Sequence, residues 1–177
     1  MTVQLKNDQL KLGRDDAPIK VEVFSNLSCP GSKIFYDMTK EILPAHIEAG
    51  EIQYILKLYD KPREELLNGF LIHLCLEYDN PARTFEIIDD LFATQEEWIH
   101  YNSRELKQLL VTKYGLHEEE IAANTERSLQ VTAEAIERDV KLVPTLFING
   151  EKYSFKERRV YSEYPDYIAN AIKKLNA

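Results

Sequence analysis

The sequence is short of several residue types, and each shortage excludes a class of protein. Two cysteines in 177 residues are too few for a disulfide-rich scaffold. Six glycines and seven prolines leave no room for a long disordered tract. Basic residues are outnumbered, 22 Lys and Arg against 30 Asp and Glu, and the resulting net charge of −8 repels nucleic acid and anionic membrane surfaces. Long apolar runs are also missing. We expect a folded chain that binds neither nucleic acid nor membranes.

Recognisable cofactor and metal motifs are missing as well. The sequence contains no phosphate-binding loop, dinucleotide fingerprint or nucleophile elbow. Its four histidines are scattered, without a metal-ligand spacing to Cys29 or Cys75. We therefore expect no metal and no bound organic cofactor. The segment Met1–Asp8 lacks a basic start followed by an apolar stretch, which favours a cytoplasmic location and argues against a structural disulfide.

The first sixty residues read as a strand–helix–strand unit. An edge strand is predicted within Val3–Leu12, and the alternating pattern of Ile19–Phe24 predicts a core strand. Apolar residues at three- and four-residue spacings predict one helix from Ser32 to Ile47, kinked at Pro44. Ile52–Leu58 predicts a second core strand, parallel to the first because a crossover joins them.

The middle of the chain, residues 61–139, has helical patterns and no strand signal. Its last helix is predicted from Glu118 to about Val140, with the run Glu118–Glu120 as an acidic first turn. The apolar stripe of that helix is predicted to consist of Ile121, Thr125, Leu129, Thr132 and Ile136.

Strand character returns near the end. Val143–Ile148 is a short apolar run, Asn149-Gly150 is a strong hairpin signal, and Lys152–Phe155 would be the partner strand. A final helix is predicted from about Tyr164. These elements predict an α/β fold with a mixed sheet of four or five strands flanked by helices. Residues 1–60 and 140–177 would form its core, and residues 61–139 an all-helical insertion.

Cys29-Pro30-Gly31-Ser32 lies where the first core strand gives way to a helix. A thiol there faces the free backbone N–H groups and the positive end of the helix dipole, which favour the thiolate. Ser32 is one turn away, and its hydroxyl can donate a hydrogen bond to the sulfur. It cannot close a disulfide with Cys29.

Several stretches together resemble the DsbA type of thioredoxin-like protein, in the order in which that family has them. They are Leu12–Pro18, Phe24, Cys29–Ser32, Leu91–Trp98 and Val143–Gly150. The resemblance implies a thioredoxin-like core with a helical insertion. It also implies a cis bond before Pro144, with the loop Val143-Pro144-Thr145 beside Cys29 as a docking site for peptides or thiols.

The sequence departs from that family at Ser32, where its oxidising members have a second cysteine. We therefore expect thiol–disulfide exchange through Cys29 alone, with Ser32 as hydrogen-bond donor to the thiolate and Pro30, Gly31, Val143, Pro144 and Thr145 contacting the substrate. The activity would be reduction, isomerisation or removal of small thiols from proteins, rather than dithiol oxidation. Partners would be protein thiols or disulfides, with a small thiol such as glutathione as co-substrate.

Two other interpretations are open. The protein could be a thioredoxin-fold binding or adapter module without turnover, since the second thiol is missing. It could also be a glutathione-linked transferase or isomerase of the kappa type, although those proteins have Ser at the first position of the motif, where this chain has Cys29. Cys75 shares an apolar helical stripe with Leu71 and Leu74, which favours a buried core residue over a resolving thiol. Trp98 is expected in the core of the insertion.

Overall fold

A five-stranded sheet forms the centre of the structure, a computed structural model that describes residues 8–153 and 163–177. The strand order is β1-β3-β2-β4-β5. Strands β2 and β3 are parallel, and the other neighbouring strands are antiparallel, which confirms the mixed sheet. The strands are β1 (Leu10–Leu12), β2 (Ile19–Ser25), β3 (Ile52–Leu58), β4 (Thr145–Ile148) and β5 (Glu151–Tyr153).

Helices cover both faces of the sheet. Val21 and Val23 of β2 pack in a large apolar cluster with Phe35 and Ile168, whereas Phe24 packs on the opposite face with Ala135. The alternation of β2 therefore separates two cores, as a period of two requires. The helices are α1 (Pro30–Thr39), α2 (Leu43–Glu48), α3 (Leu67–Cys75), α4 (Pro81–Ala93), α5 (Gln95–Trp98), α6 (Ser103–Tyr114), α7 (Ala122–Glu137) and α8 (Tyr164–Leu175), with a short 3-10 helix at Glu64–Leu66.

Helices α3 to α7 lie between β3 and β4 in the chain, where the sequence predicted only helices. Ile72, Leu91, Trp98 and Leu106 from this region belong to the same apolar cluster as the strand residues Val21 and Val23. The helical region is thus packed directly against the sheet. The division into a core of residues 1–60 and 140–177 and an insertion of residues 61–139 stays a prediction.

The helix predicted over Ser32–Ile47 is in fact two helices. Helix α1 ends at Thr39, and α2 begins at Leu43 with a proline in its first turn. Pro44 has no N–H to donate to the carbonyl four residues earlier, so it ends one helix and is tolerated at the start of the next. The kink predicted at Pro44 was wrong for this reason.

The stripe predicted for the last helix of the insertion was also wrong. Leu129 and Ile136 are 61% and 72% exposed. The buried side of α7 instead carries polar residues, among them Asn124 and Ser128. Asn124 Nδ2 donates to the carbonyls of His73 and Leu76, each at 2.8 Å. Burying these polar groups is tolerated because they are hydrogen-bonded.

The acidic run Glu118–Glu120 precedes α7 rather than forming its first turn. Helix α7 begins at Ala122, after Ile121 in the N-cap position. Lys107 of α6 donates to the Glu118 carbonyl at 2.8 Å and pairs with the Glu120 carboxylate. The run therefore joins α6 to the loop before α7.

The two ends of the sheet agree with the sequence as far as they are described. Asn149 and Gly150 both have positive φ, 49° and 82°, as the two central residues of a type I′ hairpin do. Residues 3–7 of the predicted edge strand, and residues 154 and 155 of the predicted last strand, lie outside the described residues. Within 8–153 and 163–177, each helix is too short or too polar to cross a membrane.

Candidate active site

Cys29 occupies the N-cap position of α1, directly after the loop that leaves β2. Its backbone is extended, with φ −77° and ψ 121°, and its carbonyl accepts the N–H of Lys33 at 3.1 Å. The first turn of α1 contains no acidic residue. The sulfur therefore lies at the positive end of the helix dipole, and the first turn contributes no carboxylate to offset that field.

The loop Val143-Pro144-Thr145 lies against Cys29. The Val143–Pro144 peptide bond is cis, and Cys29 Sγ donates to the Val143 carbonyl at 3.4 Å. Sheet register brings the two together, because Phe24 of β2 is paired with Thr145 at the start of β4. The loop after β2, which contains Cys29, and the segment before β4, which contains Val143, therefore lie at the same end of the sheet.

The side chains of this loop hold its shape. Thr145 is buried, and its hydroxyl donates to the Leu142 carbonyl at 2.7 Å. The Tyr164 hydroxyl of α8 lies 3.5 Å from the Pro144 carbonyl. Thr145 therefore stabilises the loop through its bond to Leu142, while the Val143 carbonyl contacts the sulfur.

Ser32 is buried one turn into α1. Its Oγ accepts a hydrogen bond from the backbone N–H of Asn26 at 3.3 Å. A hydroxyl that accepts through its oxygen still has its own hydrogen to donate. The role of Ser32 as a donor to the Cys29 thiolate stays a prediction. Of the other two motif residues, Gly31 is buried and Pro30 is exposed.

Three residues that sequence reasoning missed fix the loop before Cys29. Asn26 Oδ1 accepts the N–H of Ser28 at 2.9 Å. Gly69 of α3 packs so closely on this turn that a Cβ there would lie 2.2 Å from Asn26 Oδ1. Gln95 of α5 donates through Nε2 to the carbonyl of Leu27 at 2.6 Å and to that of Cys29 at 3.3 Å. Only one of the three had a signal in the sequence: Gln95 falls within Leu91–Trp98, one of the stretches that resemble DsbA-type proteins.

A cluster of charged residues lies on the face of the sheet that carries Phe24. Lys57 Nζ is 2.6 Å from a carboxylate oxygen of Glu22 and also pairs with Glu134, and Arg138 Nη1 lies 2.9 Å from Glu22. Burial disfavours the ionised form of Glu22, but hydrogen bonds from Arg138 and Lys57 outweigh it and hold the pKa of this carboxyl below its usual value. The sequence suggested only that Glu22 was the polar side of a strand.

The cluster adjoins the apolar surroundings of Cys29. The Arg138 guanidinium is 3.7 Å from the centre of the Phe147 ring, which packs edge-on to Phe24. Phe24, Phe147 and Cys29 belong to one buried apolar cluster. The two rings thus contact Arg138 and belong to the same apolar cluster as the thiol.

The second thiol and the tryptophan lie where they were expected. Cys75 is buried at the end of α3, and burial raises its pKa. Trp98 is buried and donates through Nε1 to the Leu91 carbonyl at 2.8 Å. Both cysteines are free thiols. No group of three or more His, Cys, Asp or Glu side chains is placed to hold a metal ion among the residues described.

A buried polar network was missed entirely. His73 of α3 contacts Asp60 through Nδ1 at 2.6 Å and the Tyr78 hydroxyl through Nε2 at 2.8 Å. The same Asp60 oxygen accepts the Ser128 hydroxyl of α7 at 2.8 Å. These bonds tie α7 to α3 and to the end of β3. A histidine on an otherwise apolar stripe was the only sign of it in the sequence.

Comparison with known proteins agrees with this geometry. The family model for thioredoxin matches residues 6–169, so the chain belongs to the thioredoxin family. Its fold is the thioredoxin-like fold with a helical insertion, as in DsbA-type proteins, which confirms the resemblance. No protein of curated function matches the sequence.

Solved structures similar to the chain cover nearly all of it. A conserved protein of unknown function from Enterococcus faecalis V583 is 26% identical, with a TM-score of 0.82, and the match covers 96% of this chain and 92% of that one. Oxidised BdbD from Bacillus subtilis is 19% identical, with a TM-score of 0.63 and 94% of each chain covered. A variant of alpha-DsbA1 from Wolbachia pipientis is 18% identical, with a TM-score of 0.70, covering 97% of this chain and 94% of that one.

Proposed function

We propose that the protein is a thiol–disulfide oxidoreductase that acts through Cys29 alone. The observation that carries the proposal is the position of Cys29 Sγ, at the N-terminus of α1 and 3.4 Å from the carbonyl that precedes a cis proline. Membership in the thioredoxin family supports it. Ser32 stands where a resolving thiol would be needed for dithiol oxidation, so the proposed activity is reduction, isomerisation or removal of small thiols.

The exchange would proceed in two balanced steps. The Cys29 thiolate attacks one sulfur of a substrate disulfide, forming a Cys29–substrate disulfide and releasing the other sulfur as a thiolate. An external thiolate, such as that of glutathione, then attacks the substrate sulfur of this mixed disulfide. Cys29 leaves as a thiolate, and the new disulfide joins the external thiol to the sulfur that was bound to Cys29, which is a small thiol when a small thiol is removed from a protein. With Ser32 in place of a second cysteine, release depends on that external thiol.

The loop before Pro144 would hold the substrate. In the thiol form, the Val143 carbonyl accepts the Cys29 S–H. Once the thiol is ionised or joined to a substrate, this carbonyl can accept a backbone N–H from an extended peptide beside the sulfur. Pro30 is exposed next to Cys29 and would flank the peptide on the other side.

Cysteine variants test the proposal directly. The substrate is a reporter peptide carrying glutathione as a mixed disulfide, and peptide and protein masses are followed with and without excess glutathione. We expect Cys29→Ala to abolish exchange and Cys75→Ala to leave its rate unchanged. Equal rates in the two variants would contradict a mechanism through Cys29. Without free glutathione, each molecule of the wild-type protein should release at most one thiol and keep the other half of the reporter's mixed disulfide bound to Cys29.

A Ser32→Cys variant tests the monothiol mechanism. The introduced thiol lies one turn from Cys29 and can attack the mixed disulfide, so the adduct should resolve without external thiol and leave a disulfide between Cys29 and the introduced thiol. Ser32→Ala is the control, since it also removes the hydroxyl but cannot resolve. If the adduct persists in Ser32→Cys as in the wild type, the residue at position 32 does not control release.

The binding-module interpretation has one observation in its favour. Cys29 is only 6% exposed, which limits access to its sulfur. A protein that binds an extended thiol peptide in both wild type and Cys29→Ala, and forms no mixed disulfide with the reporter, would establish that alternative instead.

A further inference from the structure

An apolar cavity lies at the end of α1 remote from Cys29. It has a volume of about 420 Å³, within the range of small-molecule sites. Its walls are the C-terminal part of α1, helix α2 and helix α4, and strands β1 and β3 form its floor. Apolar lining residues are Leu12, Leu43, Pro44, Ile47, Ala82 and Phe85.

One polar group in the floor of this cavity is the Tyr54 hydroxyl, which has no hydrogen-bond partner among residues 8–153 and 163–177. Tyr54 of β3 lines the cavity and is 3% exposed. Burial raises the pKa of Tyr54, and Tyr36, which also lines the cavity, raises it further. Among the described residues, the Tyr54 oxygen is not one of the fully buried polar atoms that lack a partner, so it is open to the cavity and a ligand there can bond to it.

The rim of the cavity is acidic. Glu86 and Asp89 lie three residues apart on α4, so they share one side of the helix, and both are exposed. Neither forms an ion pair within the described part of the chain. The cation of the lining, Lys40, is 3.2 Å from Asp37. The free charge at the rim is therefore negative.

We propose that this cavity binds a small aromatic amine that carries a hydrogen-bonding group on its ring. The ring would pack against Phe85 and Leu43, the ring substituent would bond to the Tyr54 hydroxyl, and the ammonium group would lie between Glu86 and Asp89. An apolar middle, a polar group in the floor and carboxylates at the rim match such a molecule from one end to the other.

The site is separate from Cys29. The cavity is lined by Tyr36 and Thr39 in the second half of α1 and by Lys40 just after it, whereas Cys29 precedes the first residue of α1. A ten-residue helix is about 15 Å long, so the two sites are at opposite ends of it. The Cys29→Ser variant should therefore still bind the amine. If no amine binds to the cavity, the proposed exchange activity of Cys29 is unaffected.

Isothermal titration with tyramine and 2-phenylethylamine tests the floor of the cavity. The two amines differ only in the ring hydroxyl. We expect the wild-type protein to bind tyramine about fivefold to tenfold more tightly, because that hydroxyl bonds to Tyr54. In Tyr54→Phe, which removes one oxygen, the two amines should bind equally. A preference for tyramine that survives in Tyr54→Phe would overturn the assignment of the floor.

The rim is tested with tyramine and its neutral analogue 4-(2-hydroxyethyl)phenol. The double variant Glu86→Gln/Asp89→Asn should weaken tyramine binding about threefold to tenfold and leave the neutral analogue unchanged. The control Glu126→Gln/Glu137→Gln makes the same change of net charge at exposed positions of α7 and should leave both affinities unchanged. Equal effects of the two double variants, or no binding of tyramine by the wild-type protein at millimolar concentration, would overturn the proposal.

Discussion

Gln95 links the helical region to the residue at the centre of the proposed chemistry. Its amide donates both hydrogen bonds to backbone carbonyls, one of them that of Cys29 itself. The side chain is 4% exposed, so water cannot easily replace these bonds. Together with Gly69, which leaves room for Asn26, Gln95 determines where the loop before Cys29 lies.

Replacing Gln95 by Met should therefore disturb both stability and exchange. Methionine has a similar length but no N–H, so the Leu27 carbonyl loses its donor while staying buried. We expect the free energy of unfolding to fall by about 1–3 kcal/mol and mixed-disulfide formation at Cys29 to slow. Urea denaturation and the mass assay measure the two effects.

Gln108→Met serves as the matched control. Gln108 is exposed on α6, and its replacement should change the free energy of unfolding by less than about 0.5 kcal/mol. If Gln95→Met behaves like Gln108→Met in both assays, Gln95 does not position the loop.

At the scale of elements, the packing of α7 on β2 and β3 depends on charge as well as on apolar contact. Glu134 of α7 and Arg138, directly after α7, form one cluster with Glu22 of β2 and Lys57 of β3. The side chain of Lys57 is 5% exposed, and its ammonium pairs with the carboxylates of Glu22 and Glu134.

This cluster should make stability depend on pH. The pKa of Glu22 is lower in the folded protein than its usual value of 4.5, because hydrogen bonds from Arg138 and Lys57 outweigh its burial. The unfolded chain therefore binds the proton more readily, and the stability that Glu22 contributes is present above pH 4.5 and lost as the pH falls through its folded pKa. The variant Glu22→Gln should be less stable than the wild type at pH 7, and the difference should shrink below pH 4.5.

Urea denaturation between pH 3 and 7 measures this difference. The control is Glu126→Gln, an exposed carboxylate of α7 outside the cluster. Its difference from the wild type should stay within about 0.5 kcal/mol throughout. A Glu22→Gln difference that is the same at every pH would show that the cluster contributes only by packing.

At the scale of the whole molecule, one apolar cluster joins the sheet to the helices between β3 and β4. It contains Val21 and Val23 as well as Leu91, Trp98 and Leu106. Helices that share a core with the sheet gain their stability from it, so neither part is expected to unfold without the other.

A truncation in the helical region should therefore destabilise the whole protein. Leu106 is fully buried on α6, and Leu106→Ala should cost about 2–5 kcal/mol. We expect circular dichroism and alkylation of Cys29 to report the same lowered transition temperature. A separate early transition by circular dichroism, with Cys29 still protected, would mean that residues 61–139 unfold as an independent unit.

Local sequence patterns reached the site through residues that are close in the chain, and the family resemblance added the distant loop Val143-Pro144-Thr145. Cys29 and Ser32 are one helical turn apart, and the pattern of Val143–Ile148 predicted the strand that β4 forms. Asn26, Gly69 and Gln95 could not be found in this way, because their importance comes from contacts across tens of residues. The prediction that Leu129 and Ile136 are buried was wrong for a related reason. An apolar stripe indicates the buried side of a helix only when apolar surface faces it, and α7 faces a polar network.

The sequence by itself determined the order of strands and helices, the mixed sheet and the position of Cys29 at a helix start, because periodicity and turn residues act over a few neighbours. Apart from the loop Val143-Pro144-Thr145, which the family resemblance placed beside Cys29, only the tertiary structure decided which groups surround that thiol. Strand register brought the Val143 carbonyl to Cys29 Sγ, and close packing of α3 and α5 on the loop placed Gly69 and Gln95. Burial of both faces of the sheet turned Glu22 and Lys57 into an enclosed ion pair. These outcomes depend on contacts between residues far apart in the chain, which local pattern does not encode.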